Sequence, residues 1–303
     1  MVSLMKRKLY IASLILLGFI IVLEVYLRFY WGFCDTVLVR EDPDMEYIAQ
    51  PNQNRFRFRK HIRYNEYSMR NDKVKESDKL RILGFGDSVI NGGTLTDQDS
   101  LATTIIEQKL TKEYGEDVRC FNISYGSWGP DNCYAYLEKY GDFNADLIFM
   151  VVSSHDAHDN MNFSKIVDIH SSFPSKQYFS AGYELFDRYL IPRIKKSPEV
   201  QSDPIIKGEI FNPGFSAFFN YTQEKNIPFF IYLHPDKAEV SKNSYDSQGE
   251  LIIRFCAENN IPLIQGISNE TEQMFRDKIH LNEHGQKELA KILLPEIRKY
   301  LNR

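Results

Sequence analysis

The chain has 303 residues, enough for one large α/β domain with an appendage and ample to bury a core. Its 37 basic and 41 acidic residues leave a formal net charge of -4 with no basic stripe, which excludes a nucleic-acid binder and leaves small molecules, glycans and proteins as partners. The 21 Phe and 18 Tyr suit a packed globular body rather than a disordered one.

The N-terminal "MKRK" precedes the apolar "LYIASLILLGFIIVLEVYLRFYWGF", uncharged from Leu9 to Leu23. A helix needs about 20 apolar residues to cross the hydrocarbon core. This one reaches that length if Glu24 or Arg28 sits near the interface, with Tyr26, Tyr30 and Trp31 as an aromatic belt. Lys6, Arg7 and Lys8 favour an inside N-terminus, which places the rest of the chain outside. No small-x-small cleavage site follows, so an uncleaved anchor is expected rather than a signal peptide. The expected organisation is a cytoplasmic stretch at 1–8, a single-pass cell-membrane anchor at 9–31, a polar lead-in at 32–78 and an extracytoplasmic domain at 79–303. Within the lead-in, "RFRFRKHIRY" alternates as a short strand or hairpin does. Its basic residues fit a solvated strand, with acidic headgroups or glycans as the sharper alternative.

From Lys79 the pattern changes. "LRILGFG" is a short apolar run of the kind buried on both faces of a sheet. "SLATTIIEQKLTKEYG" has helical spacing, with Ser100 or Asp99 as cap and Gly115 as stop. "VRCFNIS" and "DLIFMVVSS" read as strands, with a helix from Pro130 between them. "NPGFSAFFNYTQEKN" reads as a helix, "IPFFIYLHP" as a strand, "SYDSQGELIIRFCAENN" as a helix and "IPLIQG" as a short strand. A closing helix follows, capped by Asn282 and interrupted by Pro295. This alternation predicts a three-layer α/β/α sandwich on a mainly parallel, flavodoxin-like sheet. Residues 161–211 fit less well and are expected as an insertion over one sheet edge. Cys34, Cys120, Cys133 and Cys256 lack CxxC spacing and read as small buried hydrophobes; a Cys120–Cys133 disulfide stays open if the domain is extracytoplasmic.

Open parallel sheets bind ligands outside the carboxyl ends of their strands. Here those ends read "GDSVINGG", "SYGSWGPDN", "SSHDAHDN", "HPDK" and "DKIHLNEHG". Turns need Gly, Asn and Asp, but they do not need a serine and several histidines. A serine hydroxyl attacks poorly unless a base is within reach and a third group orients that base. "DKIH" offers His280 as base for Ser88, and Asp277 three residues earlier can touch the ring's second nitrogen.

"GDSV" after a strand, an Asn- and Gly-bearing loop after the next, and "DxxH" before a C-terminal helix together resemble the SGNH (GDSL-type) hydrolase family. The resemblance covers roughly residues 79–303, and upstream "YNEYSMRND" looks like the "N..G.R" element of bacterial members. It implies Ser88 as nucleophile, His280 as general base and Asp277 as its partner. It further implies an oxyanion hole from the Ser88 N–H, a second-block glycine N–H and a third-block asparagine. Aligning Asn122 on the family's Asn puts Ser127 at the usual glycine, and Gly126 beside it is the preferred donor for its freedom to turn. The third block's "ND" is here His155-Asp156, so His155 replaces the amide with a ring that donates one hydrogen bond when neutral.

Other roles compete for the same residues. His155, Asp156, His158 and Asp159 have spacing that can hold a divalent metal, with local capping the simpler role. His234 reads as a strand-end residue or a pocket wall, Trp128 as a packing plug or a sugar platform, and Asp87 as a brace for the serine turn. No metal and no cofactor is expected. Resemblance and topology together imply a membrane-anchored serine esterase removing O-acyl groups, acetyl foremost, from cell-envelope polysaccharide. Acyl transfer to a sugar hydroxyl through the same acyl-serine, or a silent glycan-binding module, are the alternatives.

Overall fold

A computed structural model describes residues 2–195 and 210–301. The chain opens with α1 (Val2–Trp31), long and apolar enough to cross a membrane. Two antiparallel hairpins follow, β1 (Val39–Asp42) with β2 (Glu46–Ala49), and β3 (Gln53–Arg57) with β4 (Lys60–Tyr64). The second is the hairpin that the alternating "RFRFRKHIRY" suggests. The lead-in is less solvated than its polarity suggests: Val39, Met45, Ile48, Ile62, Tyr64 and Met69 join the main core.

The body alternates strands and helices. In chain order these are β5 (Leu80–Gly86), α2 (Ser88–Asn91), α3 (Ala102–Tyr114), β6 (Val118–Ser124), α4 (Pro130–Tyr140) and β7 (Leu147–Ser153). Then come α5 (Ala181–Leu185), a π-turn over Phe186–Leu190, α6 (Ile191–Lys195), α7 (Gly214–Lys225), β8 (Phe229–His234), α8 (Lys237–Lys242), α9 (Ser247–Glu258), β9 (Leu263–Gln265) and α10 (Glu283–Leu301). β5 to β9 form one parallel sheet in the order β6-β5-β7-β8-β9, the flavodoxin-like arrangement. Alternate strand residues enter two cores. Leu83, Phe85, Ile148, Met150, Ile231 and Leu233 pack towards α4, α7 and α9, while Ile82, Leu147, Phe149, Val151, Phe230 and Tyr232 pack towards α3 and α10. Burial on both faces is why these strands read as unbroken apolar runs.

Some local readings differ. The cap of α3 is neither Ser100 nor Asp99: Leu101 holds that position, and the Ala102 N–H donates to Gln286 Oε1 on α10 at 3.0 Å. Gly115 does stop α3 in the left-handed conformation, and Asn282 Oδ1 accepts from Gly285 N–H at the start of α10. Pro295 lies inside α10. All four cysteines are free. The insertion expected at 161–211 is described except for residues 196–209, which lie outside the described residues.

Candidate active site

β5 ends because Gly86 takes a φ of +154°, where a Cβ would meet Val151 O at 2.4 Å. Asp87 then caps a single helical turn: its Oδ1 accepts from Val89 N–H at 2.8 Å. This is the bracing role expected for Asp87. Ser88 is the first residue of that turn, half-buried at the carboxyl end of β5. A one-turn helix leaves its carbonyls without helical partners. Distant side chains satisfy them. Gln286 Nε2 donates to Val89 O at 2.7 Å, Asn122 Nδ2 to Ile90 O at 2.8 Å, and Arg70 Nη1 to Asn91 O at 2.5 Å. Arg70 is fully buried and also donates to Gly93 O and Thr96 O. The serine turn is thus clamped by the hairpin region, β6 and α10 together.

Across from it, Phe275 and Leu281 bridge and hold the "RDKIH" turn at the head of α10. His280 Nε2 lies 3.0 Å from Ser88 Oγ, 192 residues away in sequence, and His280 Nδ1 lies 2.9 Å from Asp277 Oδ2. With the proton on Nδ1, the ring donates to Asp277 and accepts from the serine hydroxyl. Burial alone would raise the Asp277 carboxyl, but the N–H groups of His280 and Ile279 and the imidazole outweigh it and hold the carboxyl below its usual value. Asp277 is therefore a carboxylate at neutral pH.

The triad turn has a buried support. His234, at the end of β8, is fully buried; its Nδ1 lies 2.8 Å from Glu270 Oε1 and its Nε2 2.7 Å from Ile279 O. Burial disfavours its charged form, yet Glu270's charge and hydrogen bond raise it above the ordinary histidine value. Charged, both ring N–H groups donate, and the second pins the carbonyl between Asp277 and His280. His234 is thus a buried brace rather than a pocket wall. The tie to Glu270 is the part that sequence gave no signal for.

A cleft of about 290 Å³ opens over Ser88 and His280. Val37, Tyr64, Leu95, Tyr125 and Phe173 supply apolar wall, and Gly126, Ser127 and Arg276 supply polar groups. Arg276 Nη1 donates to Gly92 O at 3.1 Å, tying the Ser88 and His280 turns together. Its proximity to Asp277 in sequence was its only signal.

The other expected donors are placed differently. Gly126 and Ser127 lie on the cleft wall, and their carbonyls accept from Tyr47 Oη at 3.0 and 2.9 Å. Ser127, not Gly126, takes the left-handed φ, +56°, so freedom to turn is not what a glycine supplies at 126. His155 does not line the cleft. Its Nε2 stands 3.7 Å from Asp156 Oδ1 and 3.9 Å from Oδ2 of Asp87, the cap of the serine turn.

These three residues each bring one ligand atom within 4.8 Å of the others, a different set from the His155, Asp156, His158 and Asp159 group. His158 instead turns its Nδ1 to Ile210 O at 3.1 Å. Burial, with the Asp87 charge adding to it, raises the Asp156 carboxyl well above its usual range. Trp128 is buried with its Nε1–H on Tyr47 O at 3.0 Å, a packing plug rather than an exposed platform.

No family model and no curated protein matches the chain. Among solved structures, it is similar to a carbohydrate acetylesterase family member from Sinorhizobium meliloti, at 13% identity and TM-score 0.42, over 74% of this chain and 100% of that one. It is also similar to a psychrotrophic esterase from a Pseudoalteromonas species, at 13% identity and TM-score 0.43, over 74% and 100% of the two chains. A lipase/acylhydrolase from Enterococcus faecalis is similar at 12% identity and TM-score 0.44, over 73% and 96%. Likenesses this low leave the chemistry to the site's own geometry.

Proposed function

We propose that the protein is a serine hydrolase of the SGNH/GDSL type, held at the cell membrane by α1 with its catalytic domain outside. Its reaction is removal of a short O-acyl group, acetyl foremost, from cell-envelope polysaccharide. The observation that carries this reading is the Ser88–His280–Asp277 relay, at 3.0 and 2.9 Å, at the mouth of a cleft.

His280 takes the serine proton as Oγ attacks the acyl carbon. The ester C–O bond then breaks, and the same proton passes to the leaving sugar oxygen. Water, activated by His280, cleaves the acyl-serine and frees the acid. The N–H groups of Ser88 and Gly126 and the ring of His155 make the oxyanion hole in this reading. His155 must turn Nε2 away from Asp87 and Asp156 to serve. His155→Asn, which keeps a donor without a titrating ring, is expected to retain most activity, whereas His155→Ala loses about 10²-fold in kcat. Equal activity of the two variants removes His155 from the hole.

The test of the reaction is turnover of p-nitrophenyl acetate by the full chain in detergent. Ser88→Ala is expected to lower the rate by at least about 10³-fold with the fold intact. Equal rates for the two chains exclude ester hydrolysis at this site. The apolar wall of Val37, Tyr125 and Phe173 favours a second reading, in which water is kept out and a sugar hydroxyl accepts the acyl group. Acylated oligosaccharide rather than free acid as product distinguishes it.

A further inference from the structure

Residues 179–194 carry their polar and apolar faces the opposite way round from a helix on a soluble protein. Two charged side chains point inward. Glu184 is fully buried in a pair with Arg57 at 2.6 Å, and Arg188 Nη1 donates to Glu184 Oε1 at 3.1 Å. A row of apolar ones points outward. Phe179, Tyr183, Phe186, Leu190 and Ile194 recur at helical spacing, and all are exposed, Phe179 by 81% and Ile194 by 73%. Outside α1, the only exposed large apolar side chain among the described residues that lies beyond 163–210 is Leu95.

This stripe is continuous with α1. Glu24 accepts from the N–H groups of Ala181 and Gly182 at 2.8 and 2.9 Å and from Ser180 Oγ at 3.0 Å, so it caps α5 from another helix. Arg28 pairs with Glu24 at 2.6 Å and donates to Phe179 O. Leu23, Leu27, Ala181, Leu185 and Tyr189 pack together beneath these bonds. The two charges in the last turns of α1 are thereby used to dock the segment.

Where the docking falls along α1 sets its depth. At 1.5 Å per residue, Glu24 lies about 10 Å along the axis from Trp31. The uncharged run from Leu9 to Leu23 spans only about 22 Å, short of the roughly 30 Å hydrocarbon core. A spanning α1 therefore draws the level of Glu24 and Arg28 to the edge of the acyl chains, and the docked segment goes with it. Arg59, exposed at the tip of the β3–β4 hairpin, stacks on Tyr30 with its guanidinium 5.1 Å from the ring centre, placing a cation at headgroup level beside it.

We infer that residues 179–194 lie in the bilayer interface alongside α1, with the Phe179–Ile194 stripe against lipid. The protein then has two membrane attachments, one crossing the bilayer and one resting in its surface, which fix the height and tilt of the catalytic domain. This rests on α1 being the anchor.

The experiment reconstitutes the full chain in phosphatidylcholine vesicles whose acyl chains are brominated near the headgroup end, and reads tryptophan quenching. Native Trp31 reports on the anchor, and buried Trp128 is the internal baseline. Phe186→Trp and Ile194→Trp are expected to add emission that brominated lipid reduces at least about twofold. Lys299→Trp, exposed on α10 across the sheet, is expected to add emission that it leaves unchanged. Quenched Trp31 with unquenched emission from positions 186 and 194 overturns the inference and leaves the anchor standing. Unquenched Trp31 removes the anchor and the inference with it.

Discussion

At the residue scale, the turns that carry Ser88 and His280 are held by buried side chains. Asp277 is kept ionised by its own turn, so Asp277→Asn should reverse the ring's hydrogen bond and cut kcat by about 10⁴-fold while leaving the melting temperature nearly unchanged. His234 acts one step away, through Ile279 O. His234→Gln is expected to lower kcat about tenfold with little change in KM, because the misplaced turn affects chemistry and not binding. An unchanged kcat would mean that the brace is only structural. Asp159 makes a separate prediction. Burial, with Asp156's charge adding to it, raises its carboxyl to about 8. The folded chain then keeps a proton that the unfolded chain releases near pH 4, so stability falls as pH rises from about 4 to 8. His234, raised above the ordinary histidine value, adds a loss in the same direction as pH rises from the unfolded histidine value through its folded one. Asp159→Asn should flatten the decline in melting temperature between pH 5 and pH 8; an unaltered slope contradicts the assignment.

At the scale of elements, what was legible in the sequence was what is local. Strands β5 to β8 showed as apolar runs because both faces are buried, and α3 and α10 showed by periodicity and by their Gly115 and Asn282 ends. The cap of α3 was hidden because Gln286 supplies it from 184 residues away. The β1–β2 hairpin was hidden because its strands are only four residues long and turn through Glu46 at a φ of +64°. Ser88, His280 and Asp277 were legible as residue types at strand ends; Gln286 and Glu270 were not, since each works through a carbonyl or a ring far off in sequence. Arg70 shows the limit well. The "YNEYSMRND" pattern marks it, but only the fold reveals that its guanidinium closes three carbonyls of the serine loop. Arg70→Met should cost about 3 kcal/mol of stability, since it orphans those acceptors in the interior. A loss below about 1 kcal/mol would mean that water replaces them.

At the scale of the whole molecule, one chain joins a candidate membrane helix, two hairpins and a parallel sheet through a few buried contacts. The hairpins share the main core, and Arg57 on β3 ties them to Glu184 on α5. The same hairpin region sends Arg70 beneath the Ser88 turn. Parts that sequence separates into lead-in, domain and insertion thus converge on one cleft, which Val37, Tyr64, Ser88, Phe173 and His280 line together. The account as a whole turns on whether Ser88 is an activated nucleophile. Intact mass spectrometry of the full chain after treatment with a fluorophosphonate tests this most directly. One adduct on Ser88, absent in Ser88→Ala and much slower to form in His280→Ala, is the predicted result. A folded chain that takes up no adduct, or one labelled equally after Ser88→Ala, would contradict it.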